Sequence, residues 1–169
     1  MEKYVYLAIA AIATFILYRL SRGAIYVPTD ENALRQVAAL AKIKPGEKAV
    51  DLGAGDGRIV IALAKAGAEA HGYEHNPLLV WIARRRIRKA GLSGRAFVHR
   101  KNFWDESLAA FDVIVIFGVG YIMRRLEKKL SGEAKRNARI ISHVFKFPDW
   151  APQESKEGVH LYNKQALQE

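Results

Sequence analysis

Short apolar runs and amphipathic stretches follow one another through most of this chain. The apolar runs are typical of buried parallel strands, and the amphipathic stretches have helical composition. The predicted strands are 49–52, 68–73, 95–99, 111–117, 139–145 and 159–162. The predicted helices are 31–41, 59–65, 77–90 and 121–130. This alternation predicts an α/β fold with a mainly parallel central sheet, helices on both faces and an antiparallel last strand at the edge.

The beginning of the chain has a different pattern, because residues 4–18 carry no charged side chain. A helix of this length spans ~22 Å, and snorkelling of the flanking Arg19 and Arg22 could extend it across a ~30 Å hydrocarbon core. A cleaved signal peptide and a buried core helix are the alternatives. The pattern predicts a transmembrane-type anchor over 1–22 and one further domain over 23–169.

Positive charge around this segment suggests an orientation in the membrane. More of it follows the segment than precedes it, which predicts that the domain stays on the cytoplasmic side. In a mitochondrial protein, the corresponding side would be the matrix. The sequence therefore predicts a membrane-anchored protein with its domain on that side.

Composition narrows the possible functions without choosing one. The 169 residues carry a formal net charge of +10 and contain no cysteine. Such a charge favours acidic partners, anionic lipid or nucleic acid. Without cysteine, disulfides, thiolate zinc sites and cysteine nucleophiles are excluded. No metal site is predicted.

A glycine-rich turn follows the first predicted strand, with Gly53, Gly55 and Gly57 at alternate positions. Glycine lets the backbone take a positive φ and approach a ligand without an obstructing Cβ. The spacing differs from the G-x-G-x-x-G pattern of pyrophosphate binders. Asp51 and Asp56 also place negative charge beside the turn, which disfavours a phosphate and favours a cationic ligand.

Glu74 ends the second predicted strand, 17 residues after Gly57. A carboxylate at this position can accept hydrogen bonds from both hydroxyls of a ribose. An adenosine that carries a sulfonium and an ammonium group suits both features, so S-adenosylmethionine is the predicted cofactor. The alternative is a tight strand–helix turn followed by a surface glutamate.

Two later loops extend the predicted site. After the third strand, Asn102 could hydrogen-bond the adenine amino edge and Phe103 could pack on the ring, although an ordinary polar loop would look the same. The strand that ends at Phe117 leads into residues 118–121, Gly-Val-Gly-Tyr. Methyltransferases that act on nucleobase amines carry Asn/Asp-Pro-Pro-Tyr/Phe there, and its absence argues against that substrate.

Seven short sequence segments follow one another between Tyr26 and Trp150. They are Tyr26-Val-Pro-Thr29, Asp51-Leu-Gly-Ala-Gly-Asp-Gly-Arg58, Gly72-Tyr-Glu-His-Asn-Pro77, Ile116-Phe-Gly-Val119, Leu126-Glu-Lys-Lys-Leu130, Ile141-Ser-His-Val-Phe145 and Pro148-Asp-Trp150. The series resembles a family of class I S-adenosylmethionine-dependent protein-lysine methyltransferases. That family includes the archaeal broad-specificity enzyme and mitochondrial enzymes that act on the ATP synthase c-subunit and the adenine nucleotide translocase.

The resemblance implies a Rossmann-like class I methyltransferase fold and methyl transfer to a lysine ε-amine of a protein. It assigns catalytic roles to Tyr26, Pro28 and Thr29, in a lid over the cofactor and the lysine channel. Asp30 departs from the pattern, because many relatives have a second proline there. The predicted cofactor-binding residues are Thr29, Asp51, Gly53, Ala54, Gly55, Glu74, His75, Asn102, Phe103 and Phe117. The predicted channel residues are Tyr26, Phe145 and Trp150, of which the last two could instead be core.

The expected partner is a protein with an accessible lysine. A monomeric enzyme that binds no nucleic acid is expected. No dedicated catalytic base is predicted, because the sulfonium is already an activated donor and a desolvated channel lowers the pKa of lysine. Two alternatives remain. A methyltransferase for RNA or a small molecule would share the cofactor site, whereas a non-catalytic membrane-anchored binding protein would need a broken one.

Overall fold

A seven-stranded sheet with helices on both faces is formed by residues 30–117 and 120–164 in this computed structural model, which also describes residues 2–21. The helices are α1 Glu2–Ser21, α2 Glu31–Ala41, α3 Arg58–Lys65, α4 Pro77–Lys89 and α5 Met123–Glu133. The strands are β1 Lys48–Leu52, β2 Glu69–Glu74, β3 Ala96–Arg100, β4 Val113–Ile116, β5 Arg139–His143, β6 Glu154–Lys156 and β7 Val159–Asn163. Short 3₁₀ turns cover Phe103–Asp105 and Gly120–Ile122.

The strand order is β3-β2-β1-β4-β5-β7-β6, and β1 to β5 are parallel. The antiparallel direction of β7 was predicted correctly, but its position at the edge was wrong. A short hairpin places β6 outside it. Glu157 and Gly158 form the hairpin turn with φ of 49° and 78°, the conformation that a tight two-residue connection requires. Because β6 is exposed and polar, no apolar run marks it in the sequence.

Two hydrophobic layers cover the sheet. One contains α2, α3 and α4, whose buried residues include Val37, Leu63 and Ile87. The other contains α5, which contributes Leu126 and Leu130. Neighbouring positions of one strand belong to opposite layers, because successive side chains of a strand point to opposite faces. The prediction of helices on both faces is therefore confirmed.

The first helix, α1, does not have the properties of the membrane anchor that the sequence predicted. Across the described residues, 2–21, 30–117 and 120–164, no helix has the length and apolar character needed to cross a membrane. Glu2, Lys3 and Arg19 lie within α1 itself and confine its uncharged part to residues 4–18. That part spans only ~22 Å of a ~30 Å hydrocarbon core. The predicted transmembrane-type helix, and the membrane localisation and membrane contact inferred from it, are wrong.

Candidate active site

The candidate site lies where the strand order of the sheet reverses. β1 pairs with β2 on one side and with β4 on the other, so the connections from β1 and β4 leave in opposite directions. Leu52 and Ile116, the last residues of β1 and β4, are partners in the ladder. Ligands bind in the crevice outside such carboxyl ends in open α/β sheets. This edge of the sheet also carries most of the predicted site residues.

The glycine turn is held against β2 and leaves room above it. The backbone N–H groups of Gly53 and Ala54 both donate to the Tyr73 carbonyl, at 2.9 Å. Gly53 has a φ of 92°, and a Cβ at this position would meet no atom within 4 Å. A Cβ on Gly57 would instead lie 2.8 Å from the Cβ of Ala83 on α4. Gly53 therefore leaves space for a ligand, whereas Gly57 allows α4 to pack closely.

Glu74 ties three neighbouring loops together, two through its carboxylate and one through its backbone carbonyl. One oxygen accepts the Gly55 N–H at 2.9 Å and the other accepts the Asn76 N–H at 2.7 Å. The Glu74 backbone carbonyl accepts the Lys101 N–H at 3.1 Å, which brings the loop after β3 to the same place. Because a carboxylate has about four acceptor positions, each oxygen can still accept a hydroxyl from a ligand.

Asp51 is a buried carboxyl group at the centre of the site. Burial, with smaller contributions from Glu74 and Asp56, raises the pKa of Asp51 to about 8. Its Oδ1 atom is buried and has no hydrogen-bond partner among the described residues. Such an acceptor is satisfied by a cationic or hydrogen-donating ligand group. With the open space at Gly53 and the remaining acceptor positions of Glu74, these residues fit S-adenosylmethionine.

Asp56 has a different role from the one expected. The carboxylate is buried, and it pairs with Arg58 at 2.8 Å and with Arg86 on α4. Its negative charge is therefore compensated within the protein. The preference of the turn for a cationic ligand therefore depends on Glu74 and on Asp51, whose proton a bound cation would displace, because Asp56 instead connects the turn to α3 and α4.

The residues predicted to meet the adenine flank this site. Asn102 accepts the Trp104 N–H at 3.3 Å and donates to Asp105 at 2.9 Å, so its amide already caps the local 3₁₀ turn. The Phe103 ring is half-buried and lies 4.7 Å from the ring of Trp104, while His75 is exposed beside Glu74. Their contacts with the cofactor remain predictions.

The carboxyl ends of β4 and β5 form the other side of the crevice. The ring of Phe117, which follows β4, packs edge-on against His143 at the end of β5, with centroids 4.8 Å apart. Phe145 is 38% exposed, and its ring lies beside Gly120. Trp150 is half-buried and packs on the core ring of Phe147 at 5.1 Å. Phe145 is therefore exposed at this edge, whereas Trp150 packs on the core; the contact of either ring with a substrate remains a prediction.

His143 received no individual role from the sequence, although the structure places it in the crevice. Its Nδ1 atom is buried without a hydrogen-bond partner among the described residues. The sequence signal is a single histidine that ends an apolar strand, at the same edge as Phe117. Such a signal points to no particular chemistry until the surroundings of the ring are known.

The proposed lid falls outside the described residues. Tyr26, Pro28 and Thr29 belong to this undescribed part, as do residues 118–119 and the predicted boundary between residues 22 and 23. The described chain resumes at Asp30, whose side chain accepts the Ala33 N–H at 2.7 Å and caps α2. The assignments to the lid and to the two domains remain predictions.

Comparison with known proteins gives matches along most of the chain. The family model of the ANTKMT methyltransferase domain matches residues 51–154. A lysine N-methyltransferase of Mus musculus, named for the ATP synthase c-subunit, is 41% identical over 156 residues, which are 90% of this chain. The chain spans 63% of the length of that mouse relative. A protein-lysine N-methyltransferase of Saccharolobus islandicus is 35% identical, with 76% of this chain and 81% of the relative aligned.

A solved structure gives an independent comparison of the fold. The RNA methyltransferase of Salinibacter ruber, in complex with S-adenosyl-L-homocysteine, superposes with a TM-score of 0.75. It is 27% identical in sequence, and the match covers 80% of this chain and 91% of the Salinibacter chain. The Rossmann-like class I methyltransferase fold, the resemblance seen in the sequence and S-adenosylmethionine as the cofactor are thereby confirmed.

Proposed function

We propose that this chain, which belongs to the ANTKMT methyltransferase domain family, transfers a methyl group from S-adenosylmethionine to a lysine ε-amine of a protein. One observation carries the proposal. The match to the family runs from Asp51, in the cofactor side of the crevice, through the β4 and β5 side to Glu154. The similarity thus includes the residues that would meet the substrate, and it is not limited to the glycine turn that many methyltransferases share.

The cofactor side holds its ligand through groups already in place. Glu74 would accept the ribose hydroxyls while it remains bonded to Gly55 and Asn76. Asp51, with its unpartnered Oδ1, would bind the cationic amino-acid end, and the open space at Gly53 would let the ligand lie against the backbone. The bound cofactor supplies a methyl group on a positively charged sulfur, which is already an activated donor.

The substrate side has to hold a neutral amine in line with that methyl group. Phe117 and Phe145 provide apolar surface at the ends of β4 and β5. An apolar channel disfavours the charged ammonium and lowers the pKa of the lysine, so that the amine lone pair is available. Correct orientation then supplies most of the rate acceleration. By resemblance, Tyr26, Pro28 and Thr29 would close this channel.

The substrate class follows from the relatives. Their names point to the c-subunit of ATP synthase as the first candidate substrate to test. An RNA substrate is the second candidate, because the solved structure that matches at 27% identity is an RNA methyltransferase. We favour lysine, since two lysine methyltransferases match at 35% and 41% identity.

Labelled methyl transfer distinguishes these substrates. Full-length protein and tritiated S-adenosylmethionine are added to an extract of the source organism, with separate nuclease and protease treatments. We expect protease-sensitive, nuclease-resistant label, and tandem mass spectrometry should locate the methyl groups on lysine. Label that nuclease removes, or that appears in small molecules, would contradict the proposed function.

A further inference from the structure

We propose that His143 orients the substrate lysine, by accepting a hydrogen bond from its ε-amine at Nδ1. The inference rests on the proposed lysine methyl transfer and assigns a substrate-binding residue within the same site. Neither the sequence pattern nor the names of the relatives assign this role. The position of the ring, the environment of Nδ1 and the fixed backbone around His143 each support it.

The ring stands at the substrate side of the crevice. His143 is the last residue of β5, the strand beside β4, and its ring packs edge-on against Phe117 with centroids 4.8 Å apart. Phe117 in turn follows the last residue of β4, Ile116, which is paired with Leu52 before the glycine turn. The imidazole therefore lies at the end of β5, two strands from β1 and its glycine turn.

The Nδ1 atom requires a partner that the described residues do not provide. It is buried, and no donor or acceptor from residues 2–21, 30–117 or 120–164 bonds to it. A buried polar atom left unsatisfied destabilises a fold, so such atoms in enzymes are often completed by a ligand. The group that the proposed reaction brings to this edge is the substrate amine.

The backbone around His143 is fixed in a strained conformation. Val144 has a φ of 72°, which is unusual for a β-branched residue. Its N–H donates to the Gly158 carbonyl at 2.8 Å, and the Ser142 hydroxyl donates to the Phe145 carbonyl at 2.7 Å. Strain that persists because neighbouring bonds hold it is characteristic of functional positions. Here it sets the direction of the imidazole.

The charge state of the ring suits an acceptor. Burial lowers the pKa of His143 below its usual value, while Asp30 at the start of α2 acts in the opposite direction. Among the described residues, His160 on β7 is a second titratable neighbour, and its own pKa is lowered by burial, by Lys146 and by His143. At neutral pH the ring is therefore neutral, and one nitrogen has a free lone pair.

An acceptor role fits the acid–base chemistry better than proton abstraction does. A lysine ammonium has an ordinary pKa near 10.4, about four units above that of imidazole, so proton transfer from it to this ring is strongly unfavourable; the amine loses its proton by exchange with solvent before it enters the apolar channel. Once neutral, the amine donates one N–H to Nδ1 and points its lone pair at the methyl carbon. In the transfer, the N–C bond would form as the C–S bond breaks; the C–S electron pair would stay on sulfur, and the positive charge would pass to the methylated nitrogen, which would then lose a proton to solvent.

Three variants and one labelling assay test this role. His143→Leu removes the acceptor, whereas His143→Asn places an amide oxygen near the position of Nδ1. His99→Leu is the control, because His99 also has a pKa lowered by burial but lies on β3, on the far side of β2. Label in lysine is measured by mass spectrometry in an extract of the source organism, at saturating S-adenosylmethionine, and cofactor affinity is measured by calorimetry.

We expect His143→Leu to slow lysine methylation about tenfold or more, with the cofactor affinity within about twofold of wild type. His143→Asn should recover most of the rate, and His99→Leu should match wild type. A His143→Leu variant as fast as wild type on lysine would overturn the inference but leave the proposed function intact. Equal loss in the Leu and Asn variants would also overturn it, since a merely structural role predicts no rescue. Absence of lysine label with wild-type protein would overturn both proposals.

The pH dependence gives an independent check. Protonation turns Nδ1 into a donor and adds positive charge. Below the imidazole pKa, the wild-type rate should therefore fall more steeply with decreasing pH than it does above that pKa. The His143→Asn variant should lack this steeper part. Asp30→Asn keeps a good helix cap but removes the charge, so it should move the steeper part to lower pH. A wild-type profile identical to that of His143→Asn would contradict the inference.

Discussion

The two sides of the crevice are built in different ways. On the β1–β2 side, Glu74 is bonded to Gly55 and Asn76, and the turn is bonded to Tyr73, so most polar groups have partners before any ligand arrives. On the β4–β5 side, His143 has a buried nitrogen without a partner among the described residues, and Val144 has a strained backbone. The first side is organised mainly by hydrogen bonds within the protein and leaves the Oδ1 atom of Asp51 for its ligand, whereas the second side offers an unpartnered ring nitrogen and an exposed aromatic ring to what binds there.

This contrast suggests a division of labour. A shared cofactor needs a standard, rigid cradle, and its geometry can be built from backbone groups and one carboxylate. A substrate that differs between methyltransferases needs side chains and loops that differ as well. We therefore expect substitutions on the first side to act on cofactor affinity or stability, and substitutions on the second side to act on methyl transfer.

The largest effect is expected where the glycine turn meets α4. In Gly57→Ala, a Cβ would lie 2.8 Å from Ala83 in a backbone with a φ of 81°. Overpacking and the left-handed conformation together should lower the free energy of unfolding by ~2–5 kcal/mol. Gly46→Ala is a matched control, because Gly46 has a φ of 83° and open space around it. Urea denaturation that gives the same loss for both variants would show that packing against α4 is unimportant.

The two aromatic residues of the predicted channel should differ in their effects on stability and on methyl transfer. Trp150→Ala removes a ring that packs on Phe147 and Tyr162, so it should cost ~2–3 kcal/mol of stability, less than the ~3–5 of a fully buried ring. Phe145→Ala should cost less than ~1 kcal/mol, since that ring is 38% exposed, but should slow methyl transfer. Thermal unfolding and label incorporation measure the two effects. Equal destabilisation by both changes would assign Phe145 to the core.

Loss of the Glu74 carboxylate should weaken the cofactor side without unfolding it. Glu74→Ala removes acceptors for a ribose and for two backbone N–H groups, so S-adenosylmethionine affinity should fall by ~1.5–3 kcal/mol, about ten- to a hundredfold. Glu69→Ala, at the other end of β2, is the control. Calorimetric titration compares them, and an unchanged affinity in folded Glu74→Ala would remove this carboxylate from the cofactor site.

The effect that is smallest over a single pH unit is the dependence of apo-protein stability on pH. Burial raises the pKa of Asp51 to about 8, from the usual 3.8 expected in the unfolded chain. Between these values the folded protein keeps a proton that the unfolded chain has lost, so stability falls as pH rises. The slope is at most ~1.4 kcal/mol per pH unit. In urea titrations without cofactor, Asp51→Asn should reduce this slope, and an unchanged slope would show that Asp51 is ionised in the fold.

The same contrast explains what the sequence could predict. Apolar strands, the glycine turn and Glu74 follow local rules, so the parallel sheet was predicted correctly from their spacing, and the same spacing gave the prediction of the cofactor residues. The pairing of Asp56 with Arg86 joins positions 30 residues apart and depends on how α4 packs. The missing partner of His143 is likewise a property of the assembled edge, which no local pattern contains.

The two errors of prediction, the membrane anchor and the missed strand β6, also have local causes. The 15 uncharged residues 4–18 have the composition of a membrane span, but they are too short to cross a bilayer. Among the described residues, no helix has the length and apolar character that crossing requires. The edge strand β6 was missed because its exposed Glu154 and Lys156 carry no apolar signal. Only the turn after β6 gives a weak sequence signal, because Gly158 follows Glu157 there and both residues have a positive φ.

The central claim is that one side of the crevice binds the cofactor and the other orients a lysine. Its most direct test compares the rates of label incorporation into lysine by Glu74→Ala and His143→Leu as the S-adenosylmethionine concentration is raised. We expect Glu74→Ala to approach the wild-type rate at saturation, while His143→Leu stays about tenfold or more below it. If excess cofactor instead restores the rate of His143→Leu, or if neither variant changes lysine labelling, the proposed division between the two sides is wrong.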